Sequence, residues 1–359
     1  METFLKNPKG AHEAVRDLLK GLLENKLADA VLVAARTPYS QLPMPMLIAD
    51  GQHLEKAVPL LPVAPFNAAR QAEALLRQDA GRKLALVLRP CEIRALVELV
   101  KLNQCSLDQA LVIGLECYGR MENHDFLDKY ASGEGEPAAS RIDEQLLCTA
   151  CRTCTRCVPE TADLTLATFA GGLEKGIWLQ AKTEAGEQVC KDLELGHKDM
   201  DPGHRQAVEE LKAGRGQADR ELVEAMARAM ASMEDFQKII ADCINCYNCR
   251  RACPVCYCKT CVFVTDVFQH PPEMIFRRAE KRGAVKLPTD TTMYHLTRLA
   301  HISHACVGCG HCTSVCPAGI PVADFFKTVA RKTQELFDYI PGRDLDEPIP
   351  LLVFDENEK

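Results

Sequence analysis

C-I-N-C-Y-N-C-R-R-A-C-P, residues 243–254, sets four cysteines at the spacing C-x2-C-x2-C-x3-C ahead of a proline. The pattern returns as C-V-G-C-G-H-C-T-S-V-C-P at 306–317. A tight loop at this spacing brings three thiolates to three corners of an iron–sulfide cube. In two-cluster proteins the fourth cysteine, carried off on the next turn, serves the other cluster. Cys243, Cys246, Cys249 and Cys316 are therefore expected to hold one [4Fe-4S] cluster, and Cys306, Cys309, Cys312 and Cys253 a second. Structural zinc also takes four thiolates from C-x2-C pairs, but three evenly spaced cysteines with a distant fourth do not make two such pairs. His301, His304 and His311 lie nearby and are expected to be surface or packing residues, because cysteines already fill the sites.

The remainder of the composition supports ligation over cross-linking. The chain has 359 residues, 47% of them hydrophobic, and 19 cysteines. That length buries sizeable cores without staples. The cysteine count is odd, and the short gaps suit metal ligands in a reducing compartment better than a disulfide framework. The N-terminal METFLKNPKGAHEAVRDLL has no apolar centre of signal-peptide type, and no run of eighteen apolar residues occurs anywhere, so a cytoplasmic protein without a membrane span is expected. A net charge of −7 with scattered Lys and Arg offers no basic stripe for nucleic acid.

Periodicity sets an α/β pattern before the cysteine runs. Val15, Leu18, Leu19 and Leu22 mark an amphipathic helix, and ADAVLVAAR (28–36) a buried strand. MPMLIADG follows as a short strand ending in an Asp50-Gly51 turn. Asn67 can cap a helix to about Leu76. KLALVLRP is a buried strand, and Ile93, Leu96, Val97 and Val100 give another helix. ALVIGLECYG (110–119) closes a β-α-β alternation. Residues 120–147 read as loop. DLTLATFA (163–170), GIWLQAKT and EQVCKDL read as strands separated by AGGLEKG and EAG turns. LGHKDMDPGH and KAGRGQ read as linker, and Asp219 to Asp242 as helix, with Met226, Met230 and Met233 in its packed face. The expected division is an α/β domain over 1–195, a linker over 196–220, a helical two-cluster domain over 221–340 and a tail over 341–359. The tail, IPGRDLDEPIPLLVFDENEK, reads either as a docking segment for a partner or as a solvated terminus.

C-T-A-C-R-T-C-T-R-C-V-P (148–159) spaces its cysteines evenly by three, one residue short of the ferredoxin run, so four ligands from this segment alone would be strained. Cys91, after Pro90 at a helix start where unpaired N–H groups favour a thiolate, and Cys117, past the end of a buried strand, offer a remedy. A third [4Fe-4S] cluster is expected from Cys148, Cys151, Cys154 and Cys157, with Cys91 or Cys117 replacing one of them. Cys256, Cys258 and Cys261 have two readings. Either they give three ligands to a fourth cluster completed by Cys190 or Cys105, or they are buried thiols. No G-x-G-x-x-G follows a predicted strand, so there is no Rossmann fingerprint.

R-P-C-E-I-R-A-L, I-G-L-E-C-Y-G, the cysteine group and D-L-T-L-A-T-F-A-G-G-L-E-K-G-I-W-L-Q-A-K-T-E-A-G-E together resemble the beta subunit shared by deazaflavin-reducing hydrogenases and formate dehydrogenases. The resemblance covers roughly residues 20 to 195, with the ferredoxin part as an extension. It implies an α/β fold holding FAD beside a [4Fe-4S] cluster, the flavin converting a hydride into single electrons for the clusters. By motif position it places Cys91, Cys117 and the 148–157 cysteines among the cluster ligands. The flavin region falls near Thr168 to Gly176, with Arg89, Thr168, Gly171 and Gly172 as its contacts. Many members read G-T-P-C-Q where this chain reads L-R-P-C-E. The resemblance implies a redox subunit partnered by a formate dehydrogenase or hydrogenase catalytic subunit, or by heterodisulfide-reductase-like subunits. A flavin-free electron wire and a zinc-stapled interaction protein are the alternatives.

Overall fold

A computed structural model describes residues 1–78, 81–130, 142–268 and 271–351. Its strands are β1 (Glu2–Lys6), β2 (Ala30–Thr37), β3 (Ser40–Ile48), β4 (Leu84–Leu88), β5 (Ala110–Leu115), β6 (Leu164–Ala167) and β7 (Gly176–Ala181). The helices of the first half are α1 (Ala11–Glu24), α2 (Ala69–Gln78), α3 (Pro90–Lys101), α4 (Asn123–Tyr130), α5 (Thr149–Arg152) and α6 (Glu184–Asp192). Those of the second are α7 (Gly203–Ala229), α8 (Met233–Ile239), α9 (Asn248–Arg251), α10 (Pro272–Arg282), α11 (Thr291–Ile302), α12 (His311–Ser314) and α13 (Val322–Leu336). The architecture is thus a mixed α/β sheet region followed by a helical region, as the periodicity predicts.

The seven strands form one sheet in the order β1-β7-β6-β5-β4-β2-β3. Its centre, β6-β5-β4-β2, is parallel, and the flanking pairs are antiparallel. Because successive strand residues face opposite sides, Leu84, Leu86 and Leu88 join a core with α2, α3 and the C-terminal helices. Ala85 and Val87 join a second core with α1 and α6. The first core runs without a break from Leu86 through Ile93 and Leu96 to Tyr294, Phe325 and Phe326. It therefore ties the helical region to one face of the sheet.

Several expectations need correction. EQVCKDL is helix α6, not a strand. Thr183 Oγ1 accepts the Gly186 N–H as N-cap, Glu184 and Glu187 sit in the first turn, and only Val189, Cys190 and Gly186 turn inward. KAGRGQ, read as linker, lies within the 27-residue α7. Tertiary contacts hold that helix: Arg215 donates to the Tyr118 carbonyl, and Asp219 pairs with Lys327 at 2.5 Å and Arg331 at 2.7 Å. The helix expected to run to Asp242 breaks after α7 and restarts at Ser232, which caps α8. Met226 and Met230 pack on the core, whereas Met233 is 52% exposed at the start of α8. Residues 120–147 are not all loop, since α4 buries Phe126 against Val58, Leu61 and Met121. The tail is anchored at two points, while Asp344, Leu345, Asp346 and Pro348 between them are exposed. The Tyr339 hydroxyl and the Gly342 N–H both donate to Glu98 Oε1, at 2.6 and 2.8 Å, and Ile349 is buried. Residues 352–359 of it lie outside the described residues.

Candidate metal centres

A shared local geometry seats the cysteines. In the first run Asn245 and Tyr247 have φ of 51° and 61°, and in the second Gly308 and Gly310 stand in the same places with φ of 68° and 80°. Two left-handed residues per run curl the chain around three thiols before α9 or α12 begins. The residue two places after the leading cysteine turns its N–H back onto that thiol, Asn245 onto Cys243 and Gly308 onto Cys306. Cys117 repeats the device outside any ferredoxin run: Gly119, with φ 113°, donates its N–H to Cys117 Sγ at 3.3 Å. Such bonds stabilise thiolate over thiol.

The two runs interlock. Burial pushes the Cys243 thiol up, and its charged neighbours are Cys249, Cys316 and Cys246. Cys312, pushed well up by burial, has Cys309, Cys253 and Cys306 as neighbours. Cys316 of the second run thus stands beside the first run's thiols, and Cys253 of the first beside the second's. Among the described residues no three His, Cys, Asp or Glu side chains converge tightly enough to hold a single ion. The donor set, three evenly spaced thiols in a curled loop with a fourth from a distance, is that of a [4Fe-4S] cluster.

Around the first run the structure adds partners that no motif announces. Arg298, 3% exposed, donates Nη1 to Cys249 Sγ at 3.2 Å and Nη2 to the Cys249 carbonyl at 3.3 Å. Tyr294 Oη lies 3.2 Å from the same sulfur, and His295 Nε2 3.4 Å from Cys243 Sγ. Burial and then Arg298 hold His295 down at about 4. Their i, i+1, i+4 spacing on α11 is ordinary helix patterning and carries no sequence signal. His304 and His311 are buried and pushed down by burial, and His301 is exposed, all as packing or surface residues.

The N-terminal cysteines gather at the C-terminal ends of the parallel strands. Cys91 opens α3 after β4, Cys117 follows β5, and α5 carries Cys151. Burial raises Cys91, whose next influences are Glu92, Cys309, Cys117 and Cys151. Burial also pushes Cys117 up to about 12, with Cys151 and Cys154 beside it. Both Cys91 and Cys117 thus face the group, where the sequence offered one as a substitute. Cys148 hydrogen-bonds Cys151, which holds Cys151 down at about 6. Cys157 packs in an apolar cluster with Phe169 and Val208, and its carbonyl accepts the Cys117 N–H at 2.9 Å. Arg120, 3% exposed and unmarked in the sequence, donates its N–H to Cys151 Sγ at 3.4 Å and Nη2 to Ser314 Oγ at 2.6 Å. It bridges this group to the second run.

The four residues expected to contact FAD fall in two places. Arg89 and Thr168 share with Cys117 a cleft of only about 20 Å³. Arg89 Nη2 is committed to the Leu61 and Val63 carbonyls, and Thr168 Oγ1 to the Glu116 carbonyl. Gly171 and Gly172 sit in the β6–β7 turn, where the Gly171 N–H donates to Asp201 and a Cβ on Gly172 would meet Phe4. Larger cavities lie elsewhere, about 340 Å³ between Cys154 and Cys306 and about 520 Å³ beside His204. His204 Nε2 meets the buried Glu116 Oε1 at 2.6 Å.

Of the thiols left over, Cys190 is buried in the core with α1, away from Cys256 and Cys261, which pack on the other core. Cys105 is pushed up to about 11 by burial, then by Glu73. Cys258 is exposed. Cys190 therefore does not complete a fourth site with Cys256, Cys258 and Cys261.

Residues 239–320 match the 4Fe-4S dicluster domain family. Over 92% of its length, and 92% of the relative's, the chain is 28% identical to the F420-dependent formate dehydrogenase subunit beta of Methanocaldococcus jannaschii. It is 28% identical to F420-dependent formate dehydrogenase 1 subunit beta of Methanococcus maripaludis, covering 94% of this chain and 92% of that one. A chain of the F420-reducing [NiFe] hydrogenase complex from Methanosarcina barkeri superposes with a TM-score of 0.47 at 15% identity, over 63% of this chain and 89% of that chain. The resemblance to the beta subunits is borne out: the chain has homologues among them and carries the dicluster domain. Among the described residues no helix is long and apolar enough to cross a membrane.

Proposed function

We propose that this chain is the iron–sulfur electron-transfer subunit of a cytoplasmic multisubunit oxidoreductase of the formate dehydrogenase type, exchanging electrons with a catalytic partner subunit. The observation that carries the reading is that each run sets one cysteine beside the other's thiols, Cys316 beside Cys243 and Cys253 beside Cys312. We assign one [4Fe-4S] cluster to Cys243, Cys246, Cys249 and Cys316, and a second to Cys306, Cys309, Cys312 and Cys253. A third is assigned to Cys91 and Cys117 with Cys151 and Cys154, the thiols that Cys117 faces. Cys148 and Cys157 flank that group. The α/β region up to residue 195 then bears one cluster and the helical region after residue 220 bears two.

The relatives' names link them to F420 and formate, and two-electron carriers of that kind need a converter before one-electron centres. FAD would serve, with Arg89, Thr168, Gly171 and Gly172 as the contacts that the resemblance implies. Purification under anaerobic conditions tests the whole reading. The expected result is co-purifying redox subunits, bound iron and sulfide, a visible absorption band and FAD released on denaturation. Protein with full iron and no flavin would leave the electron wire alone, and bound zinc without iron would overturn both. Cys243→Ser and Cys316→Ser should abolish the same electron paramagnetic resonance signal, and Cys253→Ser and Cys306→Ser a different one.

A further inference from the structure

Between the two cysteine runs the chain makes an excursion whose helix α10 its own core does not use. Helix α10 buries none of its residues, although eleven residues in water do not hold a helix on propensity alone. Phe276 on it is 71% exposed, and Val262, Val264, Val267, Leu287 and Met293 around it are 41 to 71% exposed. Single exposed apolar residues are ordinary, but a group of six in one short segment marks a contact surface.

The charge of the segment points to what covers it. The chain carries −7 overall, yet residues 271–287 hold five basic residues, Arg277, Arg278, Lys281, Arg282 and Lys286, against Glu273 and Glu280. The segment is also pinned to the first cysteine loop. Lys286 Nζ donates to the Ala241 carbonyl, and Asn245 Nδ2 donates to Asp290 Oδ1 at 2.9 Å. On that loop Cys246 is exposed, whereas none of the second run's four cysteines is. The first group is therefore the one that opens to solvent, with an apolar, basic-rimmed surface beside it.

We propose that residues 262–268 and 271–293 form the docking surface for an acidic redox protein that exchanges single electrons with the centre at Cys243, Cys246, Cys249 and Cys316. Basic side chains steer an acidic partner and fix its orientation, while the apolar centre supplies contact area. One electron passes from the reduced to the oxidised partner, with no bond made and no proton moved. The inference rests on the proposed iron–sulfur reading.

The test uses the full reconstituted chain and, as probe, a small acidic ferredoxin. Hydrogen–deuterium exchange with the ferredoxin present should slow across residues 262–268 and 271–293. The Arg277→Glu/Arg278→Glu/Lys281→Glu/Arg282→Glu variant should bind at least tenfold more weakly at low salt and lose most of the salt dependence. Its iron content and visible band should be unchanged. Lys20→Glu/Lys26→Glu, on the far side of the sheet, should bind as wild type. Unchanged affinity in the α10 variant, protection confined to other residues, or the same protection from self-association without ferredoxin would each overturn the docking proposal. Absence of iron or of the visible band in the wild-type chain would instead refute the iron–sulfur reading beneath it.

Discussion

Replacing Gly310 by alanine should separate two costs that the structure makes additive. At φ 80° the backbone is left-handed, which costs an L-residue about 1–2 kcal/mol. The new Cβ would also lie 2.4 Å from Ala150 Cβ on α5, whereas carbons rest at about 3.5–4.0 Å. The second run and the N-terminal cysteine group would have to part by about 1 Å. Forced packing of this kind costs about 1–3 kcal/mol, so the total is about 2–5 kcal/mol. Gly308 supplies the internal reference: its φ is 68°, with no atom within 4 Å of an added Cβ. Gly308→Ala should cost only the backbone share, about 1–2 kcal/mol. Ala150→Gly in the Gly310→Ala background should recover the contact share, a coupling of about 1–3 kcal/mol in a double-mutant cycle. Anaerobic urea melts of the loaded protein, followed by circular dichroism and by the visible band, measure all four variants. If Gly310→Ala is no less stable than Gly308→Ala, or Ala150→Gly gives no rescue, the close approach of the two cysteine groups is wrong.

Arg298→Met removes a buried positive charge hydrogen-bonded to Cys249 Sγ. A charged hydrogen bond is worth about 1.5–3 kcal/mol, so the first centre's reduction potential should fall by roughly 60–130 mV, the second's by less because Arg298 also faces Cys253 and Cys312 without bonding them, and the N-terminal one should stay in place. A redox titration by electron paramagnetic resonance reads this, and a uniform shift of all centres would contradict it. The hydrogen bond to Glu116 raises His204 above its usual value, with Glu2 and Asp201 adding to the effect. A raised histidine contributes fully below the unfolded value of about 6.5 and loses that contribution as pH climbs through the folded value. Stability should therefore decline with rising pH above about 6.5 in wild type, by about 1.5–3 kcal/mol, and lose that slope in His204→Gln. Equal slopes in the two proteins would refute the pairing. Phe126→Ala empties a fully buried site under α4 and should cost about 3–5 kcal/mol in a urea melt. A cost below 1 kcal/mol would mean that α4 is not packed as described.

What the sequence disclosed and what it withheld divide along range of interaction. The short apolar run in KLALVLRP and the helix spacing at Val15 to Leu22 are local and were legible. So was the C-x2-C-x2-C-x3-C run, because its curl depends on residues within the loop: Asn245 and Tyr247 in one copy, Gly308 and Gly310 in the other. The misreadings have a different source. EQVCKDL carries two inward residues that suit a strand or a helix equally, and the Thr183 cap outside the segment decides between them. KAGRGQ has linker composition, and the partners that hold it helical, the Tyr118 carbonyl and Lys327, lie 97 and about 110 residues away in the chain. Arg120 and Arg298 were invisible for the same reason: an arginine's role beside a thiol is set by which loop folds onto it.

The order of the three cysteine groups follows from which of them touch. The N-terminal group meets the second run through three contacts: Cys91 beside Cys309, Arg120 on Ser314, and Ala150 against Gly310. The first run meets the second through the exchanged thiols, Cys253 among the second group and Cys316 among the first. The second group is therefore the middle one, which explains why its cysteines are drawn into the interior while Cys246 of the first is left at the surface. On the proposed ligand assignment, electrons that arrive near the C-terminal ends of β4 and β5 reach the surface at Cys246 only by way of the centre that Cys309 helps to hold. A chain whose function is relay needs its terminal centres apart and its middle one insulated. On the same assignment the exchange of the fourth cysteine between runs would secure that spacing, because neither ferredoxin loop would close its own site without the other.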